Sequence, residues 1–305
     1  MSTGRQGARG LTRVDVLTVL ALGALLLVAG GRLTSKPREQ AGRMLCRANL
    51  GKIGKAMLIY ANDYDKQLPR AGGRDSEWGP VNWDAASRYM AFGTGVDGTG
   101  GNATISSCFY LLVKHLEVPP RLFICPGDLG TSAFSLADEL VAWRPFGLAD
   151  AWDFGATPYD NCSYAYHMPF SQYPLDTSRD PNLAVAADRN PWIQSPAAEP
   201  NSARWSCFIP DVMTYGGNVE DARQGNANAH ERDGQNVLFL DGRVTFEHRC
   251  FCGIDEDNLY TMAETPWGTD PRGIMPVVGS VDEPRGEKDS FLLHDPPTFG
   301  AARRR

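Results

Sequence analysis

The 305-residue chain lacks any excess of positive charge and contains only 5 histidines. It has 30 Lys and Arg against 36 Asp and Glu, which gives a formal net charge of -6 at pH 7. Proteins that bind nucleic acid usually present a basic face, so this balance argues against nucleic acid as a partner. The sequence also lacks a P-loop, a G-x-S-x-G elbow and an H-E-x-x-H helix. We therefore nominate no catalytic residue, no metal ligand and no cofactor.

The sequence has one clear candidate for a membrane segment, and that segment is short. Residues 16–31 form an uncharged run of sixteen residues, whereas a membrane-spanning helix usually needs about 20. Val14 and the long side chains of Arg32 and Lys36 can extend the run. The arginines before it favour a cytoplasmic N-terminus. A cleaved signal peptide, an uncut anchor and a processed leader are all compatible with this pattern.

Cysteine is present in an odd number, seven, so at least one thiol is free or forms an intermolecular bond. In an exported body we expect some of them to be oxidised. The sequence leaves the pairing open among Cys46, Cys108, Cys125, Cys162, Cys207, Cys250 and Cys252.

The segment 38–62 has the apolar spacing of an amphipathic helix. Gly51 and Gly54 each lower helix propensity by roughly 1 kcal/mol and permit close packing against a sheet. Larger apolar residues recur at steps of 4 and 3, which places them on one face. They are Cys46, Leu50, Ile53, Met57 and Tyr60.

Shorter elements are predicted along the rest of the chain. The Gly-rich segment 70–104 is a surface excursion. Residues 125–128 form a turn, and the two strands 163–168 and 183–187 contribute to a sheet. We predict further helices over 107–116 and 135–143.

A hairpin is predicted over residues 236–247, where Asp241-Gly242 separates two hydrophobic runs. A two-residue turn at this dipeptide pairs Leu240 with Arg243 and Phe239 with Val244. One apolar face then carries Val237, Phe239, Val244 and Phe246.

The residues from Gly10, GLTRVDVLTVLALGALLL, resemble the leader of type IV prepilins and type II secretion pseudopilins. The resemblance implies cleavage by prepilin peptidase between Gly10 and Leu11, followed by methylation of Leu11. It also implies that Asp15 pairs with the amino terminus of a neighbouring subunit during assembly. Asp15 is shorter than the usual Glu, and Arg13 stands where that family normally has an apolar residue.

Two further stretches extend the resemblance. The run CRANLGKIGKAMLIYANDYDKQLP resembles the extended N-terminal helix of a subset of prepilin-like proteins, with Cys46, Asn49 and Leu50 as motif positions. The run NANAHERDGQNVLFLDGRVTF resembles the C-terminal prepilin-associated domain named for a His, a nine-residue spacer and Asp-Gly. Here ten residues separate His230 from Asp241-Gly242. These motif residues are expected to be structural.

The resulting prediction is an α+β, pilin-like, loop-rich fold. Its long N-terminal helix has a membrane half and an amphipathic half and packs on an antiparallel β-sheet. The predicted layout is a leader over 1–10, a transmembrane helix over 11–35 and a helix extension over 36–65. A globular α+β domain over 66–262 contains the hairpin region 228–248. An irregular tail covers 263–305.

The resemblance implies a structural subunit of a secretion or surface filament system rather than an enzyme. The expected location is the bacterial inner membrane, single-pass, with the body in the periplasm or on the cell surface. Expected partners are prepilin peptidase, the membrane, and copies of the chain or other pseudopilins. One alternative is a monomeric module that binds glycan or protein. Another is an anchored hydrolase that uses His230 with Asp188 or Asp241.

Three groups of residues suggest metal chemistry only weakly. His248, Cys250 and Cys252 are close in sequence, but a disulfide or free thiols fit their spacing better than zinc. The pair Asp63 and Asp65 and the acidic residues 255–257 could bind calcium. The latter lack the glycine and distant glutamate of an EF-hand loop.

Overall fold

A computed structural model of the chain describes residues 13–139, 141, 145–200, 202–210, 218–264, 272–279 and 282–300. The chain divides into two units, Met1–Ala41 and Gly42–Arg305. The sheet and all side chains from Arg43 onward belong to the second unit.

Helices and strands alternate irregularly along the described residues. The helices are α1 (Arg13–Asp63), α2 (Arg88–Phe92), α3 (Ile105–Leu116), α4 (Pro158–Asn161), α5 (Ser202–Cys207) and α6 (Val219–Ala222). The strands are β1 (Glu77–Trp78), β2 (Asn102–Ala103), β3 (Tyr164–His167), β4 (Ala184–Asp188), β5 (Gln235–Phe239), β6 (Val244–Glu247) and β7 (Leu292–Leu293). Short 3-10 helices cover Pro120–Phe123, Leu136–Asp138, Arg223–Gly225, Ala229–Arg232, Ile254–Glu256 and Pro297–Phe299.

The predicted pilin-like fold with a membrane-spanning half is wrong. Among the residues that the structure describes, no helix is long and apolar enough to cross a membrane. The observed fold class is α+β, built on a five-stranded antiparallel sheet.

The main sheet has the strand order β6-β5-β4-β3-β7, and each neighbouring pair is antiparallel. Every residue of β3, β4 and β5 is buried, so both faces of the sheet are covered. One face packs on the apolar stripe of α1, including Leu50 and Ile53, and on α3. The other face packs on a second core around Trp192, Phe208 and Tyr260.

The hairpin between β5 and β6 forms, but its register differs from the predicted one. Leu238 pairs with Val244, and Val237 pairs with Thr245. The loop contains three residues rather than two, because Gly242 adopts a left-handed φ of 85° and the Phe239 amide donates to the Arg243 carbonyl. When the pairing shifts by one residue, side chains that shared a face with residues of the partner strand lie on the opposite face from them.

This register corrects the predicted four-residue apolar face. Leu238 and Val244 face α1, whereas Val237 and Phe239 belong to the opposite core. Both faces of the sheet are buried, so apolar residues on either face of β5 are shielded from water. The alternation of apolar and polar residues along the sequence therefore could not select the register.

The segment 263–305, expected to be an irregular tail, contributes a strand to the sheet. Strand β7 pairs with β3 along its outer edge, with Tyr166 opposite Leu293. Residues 289–295 are buried. Within the predicted helix 135–143, the described part contains only the short 3-10 helix Leu136–Asp138.

Candidate functional site

Four polar side chains from distant parts of the chain meet beside the central strand. Cys46 lies on α1, Cys125 in the loop after Pro120–Phe123, Asp188 at the end of β4, and His230 in the 3-10 turn Ala229–Arg232. One donor atom from each lies within 4.8 Å of the others, and all four residues are buried. In the part of the chain that the structure describes, this is the only such group of potential metal ligands.

The contacts within this cluster, Cys46, Cys125, Asp188 and His230, converge on one point. Cys46 Sγ lies 3.0 Å from Asp188 Oδ1. Cys125 Sγ lies 3.4 Å from His230 Nε2, and the same nitrogen lies 3.5 Å from Asp188 Oδ2. The thiol of Cys125 and the carboxylate therefore face a single imidazole nitrogen.

The backbone around His230 has an unusual conformation that turns the imidazole inward. His230, Glu231 and Arg232 have φ values of 56°, 58° and 61°, which are uncommon for residues other than glycine. Each such backbone conformation costs of order 1–3 kcal/mol and persists only where the surrounding structure holds it in place. Glu231 and Arg232 are exposed, while the His230 side chain is 0% exposed.

The turn that carries Cys125 packs tightly on the imidazole. A Cβ at Gly127 would lie 2.8 Å from His230 Nδ1, so any larger residue there would displace the ring. The Asp128 amide donates to the Cys125 carbonyl and closes the turn at 3.0 Å. Asp128 forms a buried ion pair with Arg189, with Oδ2 and Nε 3.0 Å apart. Burial raises the pKa of the Asp128 carboxyl, and Arg189 opposes that shift.

Asn236 orients both the carboxylate and the imidazole. Its backbone amide donates to Asp188 Oδ2 at 2.8 Å. Its side-chain nitrogen donates to the Arg43 carbonyl at 3.4 Å and lies 3.5 Å from His230 Nε2. The contact with the Arg43 carbonyl fixes which end of the Asn236 amide carries the nitrogen, so this side chain presents an N–H group to the cluster.

The surroundings of the cluster favour the protonated form of the Cys46 thiol, whose pKa is raised. Burial raises the pKa of the Cys46 thiol well above its usual range, and a hydrogen bond with Cys125 and the charge of Asp188 act in the same direction. The Tyr260 hydroxyl donates to the Asp188 carbonyl at 2.9 Å and fixes the end of β4. A thiol with a raised pKa, as at Cys46, is a poor nucleophile without a cation to stabilise the thiolate.

The arrangement does not have the geometry of a nucleophilic triad. In such a triad the carboxylate binds one imidazole nitrogen and the nucleophile the other, whereas Cys125 and Asp188 both face Nε2 of His230. The Cys125 and Asp188 residues are 0% exposed, which leaves no path for a substrate. The chemistry that this donor set supports is hydrogen bonding within the core or coordination of a cation.

The structure places the predicted motif residues in two regions. Cys46 and His230 belong to the cluster, Leu50 is buried in the core, and the Asn49 side chain donates to the Ile124 carbonyl at 3.1 Å. Asp241 and Gly242 form the tip of the hairpin. There the Asp241 carboxylate pairs with the Arg243 guanidinium at 2.6 Å.

The residues implicated in processing and assembly lie elsewhere. Gly10 and Leu11 are outside the described residues. Asp15 lies within α1.

The weaker metal candidates are not brought together. His248 is exposed and contacts the Asp233 carbonyl at 3.0 Å, while Cys250 is buried in the second core. Asp255 pairs with Lys288 at 2.8 Å, and Asp257 accepts a hydrogen bond from the Ser290 amide at 2.6 Å. All seven cysteines are free thiols in the structure.

Sequence reasoning missed Cys125 as a member of the cluster and considered Asp188 only as a partner for His230. Each is a polar residue at the end of an apolar stretch, in the runs FICPGD and VAADRNP. A polar residue at the end of an apolar stretch is visible in the sequence. However, no rule of residue spacing predicts that four residues from four separate elements come together. No protein-family model, curated protein or solved structure matches this chain.

Proposed function

We propose that this chain is a structural subunit of the pseudopilin or minor-pilin type, attached to the bacterial inner membrane with its body in the periplasm or on the cell surface. One observation carries the proposal. Cys46 belongs to the prepilin-like run CRANLGKIGKAMLIYANDYDKQLP, and His230 belongs to the run NANAHERDGQNVLFLDGRVTF. Asp188 contacts both side chains in one buried cluster. The residues that carry the resemblance therefore serve to hold the N-terminal helix to the sheet.

The burial of the cluster supports a structural role over catalysis. His230 is 1% exposed, and Asp188 is fully covered. The other carboxylate considered for a hydrolase, Asp241, lies at the hairpin tip and pairs with Arg243. A hydrolase that used His230 would need a substrate to enter a closed core.

The proposal includes prepilin peptidase as a processing partner, with cleavage between Gly10 and Leu11. It also includes association with copies of the chain or with other pseudopilins. In that assembly the carboxylate of Asp15 neutralises the new amino terminus of a neighbour. Opposite charges removed from water attract strongly, so this pair sets the register between subunits.

Crosslinking in the native membrane tests the proposal. An amine-reactive crosslinker is expected to give a ladder of oligomers containing this chain, and Asp15→Asn is expected to remove most of it. The control is Asp255→Asn, which alters an exposed carboxylate paired with Lys288 and should leave the ladder intact. Monomer alone in all three proteins would contradict assembly.

A cleft in the 70–104 segment favours the second candidate, a monomeric module that binds glycan or protein. The cleft has a volume of about 410 Å³ and is lined by residues including Arg88, Tyr89 and Thr94. Tyr89 is 54% exposed, and an exposed aromatic ring beside polar groups suits a sugar face. A rise in melting temperature with simple glycans, combined with the absence of a crosslinked ladder, would favour this candidate.

A further inference from the structure

We propose that Cys46, Cys125, Asp188 and His230 bind one zinc ion, which fastens the N-terminal helix to the body of the protein. The inference does not depend on the proposed filament function, since it concerns only the cluster within residues 42–305. It rests on three features: the distances between the donor atoms, the chemical types of the donors and the closed packing around them.

The donor atoms lie close to the spacing of a tetrahedral zinc site. Zinc lies about 2.3 Å from thiolate sulfur and about 2.0–2.2 Å from imidazole nitrogen or carboxylate oxygen. In a tetrahedron these bond lengths put sulfur about 3.5 Å from a nitrogen or oxygen, and nitrogen about 3.3 Å from oxygen. The observed separations are 3.0 Å from Cys46 Sγ to Asp188 Oδ1, 3.4 Å from Cys125 Sγ to His230 Nε2 and 3.5 Å from His230 Nε2 to Asp188 Oδ2. With one donor atom taken from each residue, all four lie within 4.8 Å of one another. Small shifts of the side chains would close the four donors around one ion.

The donor types select zinc among the common divalent ions. Calcium and magnesium prefer shells made of oxygen, and this cluster offers two sulfurs and a nitrogen against one carboxylate. Thiolate with imidazole suits zinc. His230 Nε2 faces both Cys125 Sγ and Asp188 Oδ2, which is the position that a ligand nitrogen needs.

The packing identifies the type of zinc site. Four protein ligands complete a tetrahedron and leave no position for water or substrate, which is the arrangement of structural rather than catalytic zinc. The Asn236 amide holds Asp188 Oδ2 at 2.8 Å, and the absence of a side chain at Gly127 lets the 125–128 turn approach the imidazole. Contacts of this kind orient ligands from outside the coordination shell.

Zinc binding at this cluster is coupled to proton release. The Cys46 and Cys125 thiols each lose a proton as their sulfurs bond to zinc, while His230 binds as the neutral ring and Asp188 as the carboxylate. One divalent ion thus displaces two protons, and zinc affinity is expected to fall steeply on acidification. No oxidant or reductant takes part.

A disulfide between Cys46 and Cys125 is the competing arrangement. Their sulfurs lie within 4.8 Å of each other and would have to approach to about 2.05 Å. Oxidation would convert two of the seven thiols to a disulfide. The two sulfurs could then no longer bind zinc together with Asp188 and His230. Metal content and thiol content together distinguish the two arrangements.

The test is zinc content of the full-length protein, purified with reductant and without chelator. We expect one zinc per chain by mass spectrometry, and at least about tenfold less in Cys125→Ser and His230→Ala. The matched control is Cys108→Ser. Cys108 is equally buried, but its sulfur contacts the Ala71 amide and the Thr104 carbonyl, outside the cluster. That variant should retain the full zinc content.

Cobalt supplies a readout that depends on coordination geometry. Cobalt-loaded wild type and Cys108→Ser are expected to show the intense visible bands of a tetrahedral site with thiolate ligands. Cys125→Ser should not show them. If Cys125→Ser does not fold, wild type alone decides: chelator should lower its melting temperature, and added zinc chloride should restore it.

Three results would overturn the inference. The first is wild-type protein that stays free of metal after incubation with zinc chloride. The second is undiminished zinc in both ligand variants. The third is a thiol count two short of seven in protein purified without reductant and denatured with chelator, with the missing pair mapped to Cys46 and Cys125, which would assign the cluster to a disulfide.

Discussion

The Cys46 thiol lies 3.0 Å from the Asp188 carboxylate, although 142 residues separate the two in sequence. The contact joins α1 to the end of β4, the central strand of the sheet. Asp188 also accepts a hydrogen bond from the Asn236 amide on β5 at 2.8 Å. One buried carboxylate thus connects the helix and two neighbouring strands, and the stability of the body should depend on it.

Asp188→Ala is expected to lower the free energy of unfolding by about 2 kcal/mol or more. A buried N–H group without an acceptor costs about 1–3 kcal/mol, and this substitution removes the acceptor of the Asn236 amide together with the contact to Cys46. Urea denaturation of both proteins measures the difference. Asp255→Ala serves as the control, since that exposed ion pair should contribute little. Equal losses in the two variants would mean that Asp188 has no special role.

Two glycines on α1 are expected to respond oppositely to alanine. A Cβ at Gly54 would lie 2.6 Å from Leu238 Cδ1, whereas a Cβ at Gly51 would lie 4.0 Å from Val244 Cγ2. Gly51→Ala should raise the free energy of unfolding by about 0.5–1 kcal/mol, because alanine favours the helix. Gly54→Ala should lower it by about 1 kcal/mol, because overpacking outweighs that gain.

Urea midpoints for Gly51→Ala, Gly54→Ala and wild type check this pair directly. Leu238 is buried at 1% exposure and has little room to move aside. If Gly54→Ala proved as stabilising as Gly51→Ala, the close approach of α1 to β5 would be contradicted.

Asp153 should contribute stability that is lost as pH rises. Burial, reinforced by the charge of Asp295, raises the pKa of the Asp153 carboxyl from 3.8 to about 7. The folded protein therefore holds a proton that the unfolded chain has lost between these two values. A shift of this size corresponds to a loss of order 4 kcal/mol as pH rises through the window from about 4 to 7.

Asp153→Asn should remove that pH dependence, since the amide does not titrate. Urea denaturation at intervals from about pH 5 to 8 should show a flatter profile for the variant than for wild type. Asp97→Asn is the control, because a hydrogen bond from Thr99 lowers the pKa of that exposed carboxyl. The stability that Asp97 contributes is fully present above pH about 4. It therefore does not change the free energy of unfolding with pH in this range. Parallel profiles for Asp153→Asn and wild type would contradict the assignment.

The sequence predicts the local elements of this fold better than their assembly. Apolar spacing on α1 places Leu50 and Ile53 on the buried face, where the structure has them. The Asp241-Gly242 dipeptide correctly predicts a hairpin. Its register was wrong because a glycine with positive φ fits loops of two or three residues equally well.

The site was less predictable than the hairpin because it depends on tertiary contacts. Cys46 and His230 stand out within motifs, but nothing local shows that the turn at Cys125 meets them. The left-handed backbone at Glu231 and Arg232 has no sequence signal either, since neither is a residue type that commonly adopts positive φ.

The mass of the amino-terminal peptide, from protein recovered from native cell membranes, tests the central proposal of a pilin-type subunit most directly. The account predicts a peptide that begins at methylated Leu11, because prepilin peptidase cleaves after Gly10. A peptide that begins near Gly31 or Arg32 would show an ordinary signal peptide and contradict the proposal. An uncut terminus would contradict it as well.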